Sequence, residues 1–181
     1  MNKIQIIVNN GAGTGSAVAV WKETKKYLQE NGISYNAYLT RYEKHAVKLA
    51  GQICGKIPEG PIYLLVVGGD GTINEVLNGI TDFDRVRLGV IPTGSGNDFA
   101  RNLGILRDTR EDLREITACI DQEQNGEKLQ RIDLGKVSWE GCEKPRIFGI
   151  SAGAGLDAIV CKKALHSKLK KILNRFHLGK L

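Results

Sequence analysis

Residues Ile62-Tyr63-Leu64-Leu65-Val66-Val67 run without a break into Gly68-Gly69-Asp70-Gly71-Thr72. An apolar run this short, rich in β-branched and aromatic residues, is what a central strand of a parallel sheet requires when both its faces are covered. The glycines mark a sharp exit from that strand. A helical pattern resumes at Asn74 to Leu77 and ends near Asn78-Gly79. Strand, glycine-rich loop and helix follow one another here, and the same alternation continues on either side.

Upstream, Lys3 to Val8 reads as a buried strand, Asn9 to Ser16 as a glycine-rich turn, and Val18, Trp21 and Leu28 as a helical period closing at Asn31-Gly32. Ile33 to Leu39 is a second strand. Glu43 to Cys54 is a helix with Ala46, Val47, Leu49, Ala50 and Ile53 on its apolar face. Downstream, Leu88 to Ile91 is a fourth strand, followed by Pro92-Thr93-Gly94-Ser95-Gly96-Asn97-Asp98. The alternation, which runs as far as Ile120, predicts the α/β class: an open, mostly parallel sheet with flanking helices. Ligands bind outside the carboxyl ends of strands in such sheets, so the three glycine-rich loops should line one edge.

The pattern changes at Asp121 to Gly126, a polar stretch suited to a linker. Leu129 to Trp139 and Arg146 to Ser151 read as strands. From Asp157 a helix is expected, with Ala158, Cys161, Leu165, Leu169, Ile172 and Phe176 on one stripe. Residues 1–125 are therefore assigned to an α/β domain and residues 126–181 to the incomplete start of a β-rich second domain with a basic C-terminal helix. Two strands and a helix cannot close a core alone.

The chain has 181 residues and a formal charge of +6. Seven of its 26 Lys and Arg fall between Cys161 and Leu181, where there is no acid, so the remainder is close to neutral. A nucleic-acid-binding body is not implied. No apolar run approaches the roughly 18 residues a membrane helix needs. Met1-Asn2-Lys3-Ile4 enters a strand pattern with no long apolar signal region. Cys54, Cys119, Cys142 and Cys161 contain no CxxC pair, so free, buried thiols in a reducing cytoplasm are expected.

Each loop admits two readings. Gly11-x-Gly13 is neither a dinucleotide fingerprint, since the third glycine is misplaced and the ribose-binding acid is missing, nor a Walker loop, since no Gly-Lys-Ser/Thr occurs. It is a phosphate-cradling turn or simply a tight strand-to-helix turn. Around Asp70, exposed amides would make an anion nest. The carboxylate itself would serve Mg2+ or deprotonate a hydroxyl. The plain alternative is an Asp-Gly turn with Thr72 capping a helix. In the third loop Ser95, Asn97 and several amides could bond phosphate or ribose, with Asp98 capping the next helix. Three such loops on one edge favour a ligand over three coincidental turns.

Gly68-Gly69-Asp70-Gly71-Thr72-Ile73-Asn74-Glu75-Val76-Leu77-Asn78-Gly79, taken with Pro92 to Arg101, resembles the diacylglycerol kinase catalytic-domain family, which includes bacterial lipid kinases and sphingosine kinases. Asn9-Asn10-Gly11-Ala12-Gly13 resembles its first nucleotide loop, with Asn10 where proline is common. Ser95 stands where threonine is frequent. Arg131 to Gly135 and Phe148 to Asp157 resemble the start of its second domain. NAD kinases share a Gly-Gly-Asp-Gly element but not the Gly94 to Arg101 run, so an NAD kinase-like or other small-molecule kinase is the alternative, and a catalytically silent nucleotide- or membrane-binding chain is another.

The resemblance implies ATP- and Mg2+-dependent phosphorylation of a lipid hydroxyl. It places ATP against Asn9, Asn10, Gly11, Ala12, Gly13, Thr40, Gly68, Gly69, Asp70, Gly71, Thr72, Ile73, Asn74, Glu75 and Ser95, with Asp70 nearest the transferred phosphate. It also implies that the lipid cleft, the metal carboxylates and the catalytic base come from positions beyond the match to Leu181. Metal ligands and the identity of the lipid are therefore unassigned, and little activity is expected from these residues alone. A cytoplasmic protein, in peripheral contact with the inner face of a membrane, is the corresponding expectation.

Overall fold

The computed structural model describes residues 3–9, 11, 16–105 and 108–166. Four strands, β1 (Ile4–Val8), β2 (Tyr35–Leu39), β3 (Ile62–Gly68) and β4 (Val86–Pro92), pair in parallel in the order β2-β1-β3-β4. The helices between and after them are α1 (Ser16–Glu30), α2 (His45–Lys56), α3 (Asp70–Leu77), α4 (Asp98–Asn102) and α5 (Thr109–Gln124). A short antiparallel pair follows, β5 (Gly135–Val137) with β6 (Arg146–Phe148), and then α6 (Leu156–His166). The α/β class is as read from the sequence.

Every residue of β3 is buried, because alternate side chains face two separate layers. Leu64 and Val66 join Ala46, Leu49 and Ile53 of α2 and Ile73 and Val76 of α3. Tyr63, Leu65 and Val67 join Trp21 and Leu28 of α1 and Leu113 and Ile120 of α5. Chain order reverses between β1 and β3, which makes the carboxyl ends of those two strands the crevice where an open α/β sheet binds ligands.

Several boundaries differ from the sequence reading. α3 starts at Asp70 rather than Asn74, because the Thr72 and Ile73 amides already donate to Gly69 O at 2.9 and 3.1 Å, closing the first turn through the glycines. On α1, Trp21 and Leu28 are buried as expected, together with Ala17, Thr24 and Tyr27, whereas Val18 is 55% exposed. The expected linker from Asp121 is still α5 as far as Gln124; polar residues on its outer side masked the helix. Of the four cysteines, all free, only Cys54 is buried; Cys161 lies exposed on α6.

The compact units divide between Gly149 and Ile150, so the β5–β6 pair belongs with the sheet domain. The physical link is Asn78, whose side chain accepts from Ile147 N at 3.0 Å and donates to Ile147 O at 2.8 Å, completing β6 as a neighbouring strand would. In the second unit, Leu156, Ile159 and Val160 are 75%, 54% and 57% exposed. The rest of the expected stripe, Leu165, Leu169, Ile172 and Phe176, lies outside the described side chains.

Candidate functional site

The loops leaving β1, β3 and β4 interlock. Asn9 follows β1 and donates its amide to Thr72 Oγ1 at 2.9 Å, while its Oδ1 accepts from Gly11 N at 3.1 Å. Thr93 follows β4, and its amide donates to Gly68 O at 3.1 Å. Ser16 Oγ, opening α1, donates to Thr93 O at 3.4 Å. A Cβ built on Gly69 would lie 2.9 Å from Gly94 Cα, so only glycine at both positions lets the second and third loops pass this closely. Gly68 is constrained in the same way, since a Cβ there would lie 2.7 Å from Thr72 Cβ.

The third loop is shaped by Asn97. Its Oδ1 accepts from Gly94 N and its Nδ2 donates to Gly94 O, both at 2.8 Å, and its backbone is left-handed at φ 53°. Asparagine tolerates that region better than most residues. Asp98, expected to cap α4, does not: it pairs with Arg101 at 2.8 Å. The cap arrives from another loop. Asp70 Oδ2 accepts from Asp98 N at 3.1 Å and Asp70 Oδ1 from Phe99 N at 3.0 Å, satisfying two first-turn donors that α4 cannot pair itself. Sequence spacing gave no sign of this pairing, which joins residues 28 and 29 positions apart.

The other expected contacts fall as follows. The Asp70 and Gly71 amides come before that of Thr72, the first that donates to Gly69 O, and stand at the positive end of α3. Ser95 is exposed in the third loop. Thr40 directly follows β2 and donates its amide to Val8 O at 2.9 Å, which brings it to the same sheet edge. Ile73 turns into the core and is 2% exposed. Asn74 is directed to β6, where its amide reaches Ile147 O at 3.4 Å. Glu75 binds the β2–α2 loop instead of facing the glycines: Oε1 accepts from Lys44 N at 3.0 Å and Oε2 from Ala46 N at 3.2 Å. Asn10, Ala12 and Gly13 lie outside the described residues. Thr93 Oγ1 is buried with no partner among the described residues, a polar atom on the inner side of the third loop that sequence reading did not single out.

The site thus offers helix-terminal amides, backbone stripped of side chains, and hydroxyls on one sheet edge, which together make a cradle for phosphate oxygens. The family model for the diacylglycerol kinase catalytic domain matches residues 3–137. The chain belongs to that family. It is 36% identical over 136 residues to the diacylglycerol kinase of Bacillus subtilis (strain 168), covering 72% of this chain and 40% of the relative. It is 31% identical over 176 residues to the diacylglycerol kinase of Staphylococcus carnosus (strain TM300), covering 96% of this chain and 51% of the relative. A crystal structure described as a diacylglycerol kinase from Bacillus anthracis str. Sterne superposes with a TM-score of 0.54 at 30% identity, over 64% of this chain and 39% of that one. The chain spans about half the length of the curated relatives it matches. Within the diacylglycerol kinase family pattern, the second and third loops are the parts whose geometry is most fully tied together here.

Proposed function

We propose that this chain carries the nucleotide-binding half of an ATP- and Mg2+-dependent lipid kinase, which transfers the terminal phosphoryl group of ATP to a lipid hydroxyl. The observation that carries the proposal is the Gly69–Gly94 approach, which joins the loops leaving β3 and β4 beside the switch-point crevice, in a chain of the diacylglycerol kinase catalytic-domain family.

Phosphoryl transfer depends on positioning and charge neutralisation more than on covalent catalysis. The Asp70 and Gly71 amides and the positive end of α3 would receive phosphate oxygens, with Ser95 adding a hydroxyl donor. Glycine at 69 and 94 lets the phosphates reach the backbone. Thr40 would meet the nucleoside side, at the end of β2 where an α/β fold holds a ribose. The donor set also suits a magnesium ion shared with a nucleotide. A Cβ on Gly96 would lie 3.2 Å from Asp70 Oδ2 and 3.6 Å from Asp98 Oδ2, so two carboxylates flank one point of the third loop. Magnesium is commonly held by one or two carboxylates plus substrate phosphates. Asp70 keeps lone pairs after accepting from α4 and would hold the ion; Asp98, whose Oδ1 is already paired with Arg101, has only Oδ2 left to offer. When bound, the ion neutralises charge on the phosphates.

The lipid would be met at a bilayer surface. No helix among the described residues is long and apolar enough to cross a membrane. Peripheral contact is supported by the exposed Leu156, Ile159 and Val160 of α6, followed by a segment with seven cations and no acid. In this reading residues 1–125 hold the nucleotide, and residues from 126 onward lead into the lipid-facing part, although the β5–β6 pair among them packs with the sheet domain.

The test is phosphate transfer from labelled ATP by the protein carrying this chain, with diacylglycerol in mixed vesicles and, separately, with soluble acceptors. Turnover that depends on the lipid is expected. Turnover on NAD, a nucleoside or a sugar, indifferent to vesicles, would replace the lipid-kinase reading with the small-molecule one.

A further inference from the structure

Glu75 lies at the centre of the family motif, yet both of its carboxylate oxygens accept from the backbone of a different segment, Lys44 N and Ala46 N. That segment needs a partner. Lys44 takes the N-cap position of α2 with no side-chain cap of its own, in a left-handed backbone at φ 65°. Such a conformation is uncommon for a residue with a Cβ and persists only when its surroundings hold it. α2 therefore receives its cap from α3. The rest of the loop is braced from within: Arg41 N donates to His45 Nδ1 at 3.1 Å, and the Tyr42 and His45 rings stack at 4.4 Å. Its first residue, Thr40, is fixed to β1.

We propose that Glu75 is a positioning residue of the nucleotide site: it fastens the loop from Thr40 to Ala46 to α3, and so fixes the distance between Thr40 and the phosphate-binding turn of the same helix. This rests on the proposed nucleotide reading. Because both oxygens are committed to amides, Glu75 acts on the nucleotide through the loop, and the loop moves with α3 as one piece. The motif helix becomes a hub: Asp70 holds α4, Thr72 holds Asn9, Glu75 holds α2, and Asn78 holds β6.

The experiment compares the full chain with Glu75→Ala, Thr40→Ala and the double variant, measuring MgATP affinity by calorimetry and amide exchange at Lys44 and Ala46 by NMR. Glu75→Ala is expected to speed exchange at both amides and weaken MgATP about tenfold, the equivalent of one charge-assisted hydrogen bond. With Thr40→Ala already present, the same substitution is expected to weaken binding by less than about twofold, because the group being positioned is gone. In turnover by the protein carrying the chain, KM for ATP should rise more than kcat falls. Lost affinity with unchanged exchange, or a full additive loss in the double variant, would make Glu75 a direct ligand and overturn the proposal. Unchanged affinity would overturn it as well. If Glu75→Ala does not fold, Glu75→Gln, which keeps one acceptor, carries the same comparison. An unmodified chain that binds no MgATP refutes the nucleotide reading itself, whereas unchanged exchange at Lys44 and Ala46 refutes the latch alone.

Discussion

Asp70→Asn preserves the size of the side chain and removes one of the two acceptors that hold α4. In the native chain the two carboxylate oxygens take amides from Asp98 and Phe99 at 3.1 and 3.0 Å. The asparagine keeps one carbonyl oxygen and turns an NH2 group toward the other amide. Losing a helix cap costs about 0.5–2 kcal/mol, and a hydrogen bond to a charged group contributes about 1.5–3 kcal/mol. Asp70 is half-buried, so water replaces part of what is lost, and a net cost of about 1–2 kcal/mol follows. For a domain of this size that corresponds to a fall in Tm of about 2–8 °C. Asp70→Ala should cost more, since it removes both acceptors. Thermal melts at neutral pH measure the cost, and amide exchange at Asp98 and Phe99 locates it. A variant that melts with the native protein and protects those two amides equally would refute the capping role and leave Asp70 to chemistry or metal alone.

Gly79→Ala should destabilise the chain by about 1–3 kcal/mol in denaturant melts, because overpacked contacts cannot relax where backbone meets backbone. Its Cβ would run into the backbone carbonyl of Val47 and stand 2.9 Å from Ala50 Cβ, both on α2. Arg110 bonds Glu23 and Glu30 at 2.7 and 2.6 Å, joining α5 to α1, and that contact holds the Glu30 carboxyl below its ordinary value of 4.5. The Glu30 contribution is therefore present above that value and lost as pH falls through the lower folded value. Arg110→Ala should cost stability in melts at pH 7 and low salt, with the difference shrinking in acid and at high salt. Anionic vesicles should bind the chain in co-sedimentation, and Leu156→Asp with Ile159→Asp should reduce that binding; equal binding by the double variant would exclude α6 from the contact.

The sheet was legible because burial on two faces leaves short apolar runs, Ile62 to Val67 and, around Gln5, Ile4 to Val8, too short for a helix and each followed by glycine-rich turns. The convergence of the loops followed from the sheet, since each leaves the carboxyl end of a strand. The start of α3 was hidden by its glycines, which lower helix propensity while the first turn is closed by Gly69 O. On α1 only Val18 was misplaced: Trp21 and Leu28 are buried as read, and the small neighbour Ala17 takes the buried position in place of the valine. Polar pairings were the least legible. Asp70 with Phe99, Glu75 with Ala46 and Asn78 with Ile147 join residues 29, 29 and 69 positions apart, and nothing in local spacing encodes such partners. Asn97 did carry a signal, an asparagine after Gly-Ser-Gly, where a left-handed turn is needed and asparagine tolerates it.

Calorimetric titration of the chain with MgATP, repeated with Gly69→Val and Gly94→Val, tests the central claim that the loops after β1, β3 and β4 form one nucleotide site. A single saturable site in the native chain, lost or strongly weakened in both folded variants, is the predicted result. Saturable binding that either valine variant retains at native affinity would place the nucleotide elsewhere and contradict the account.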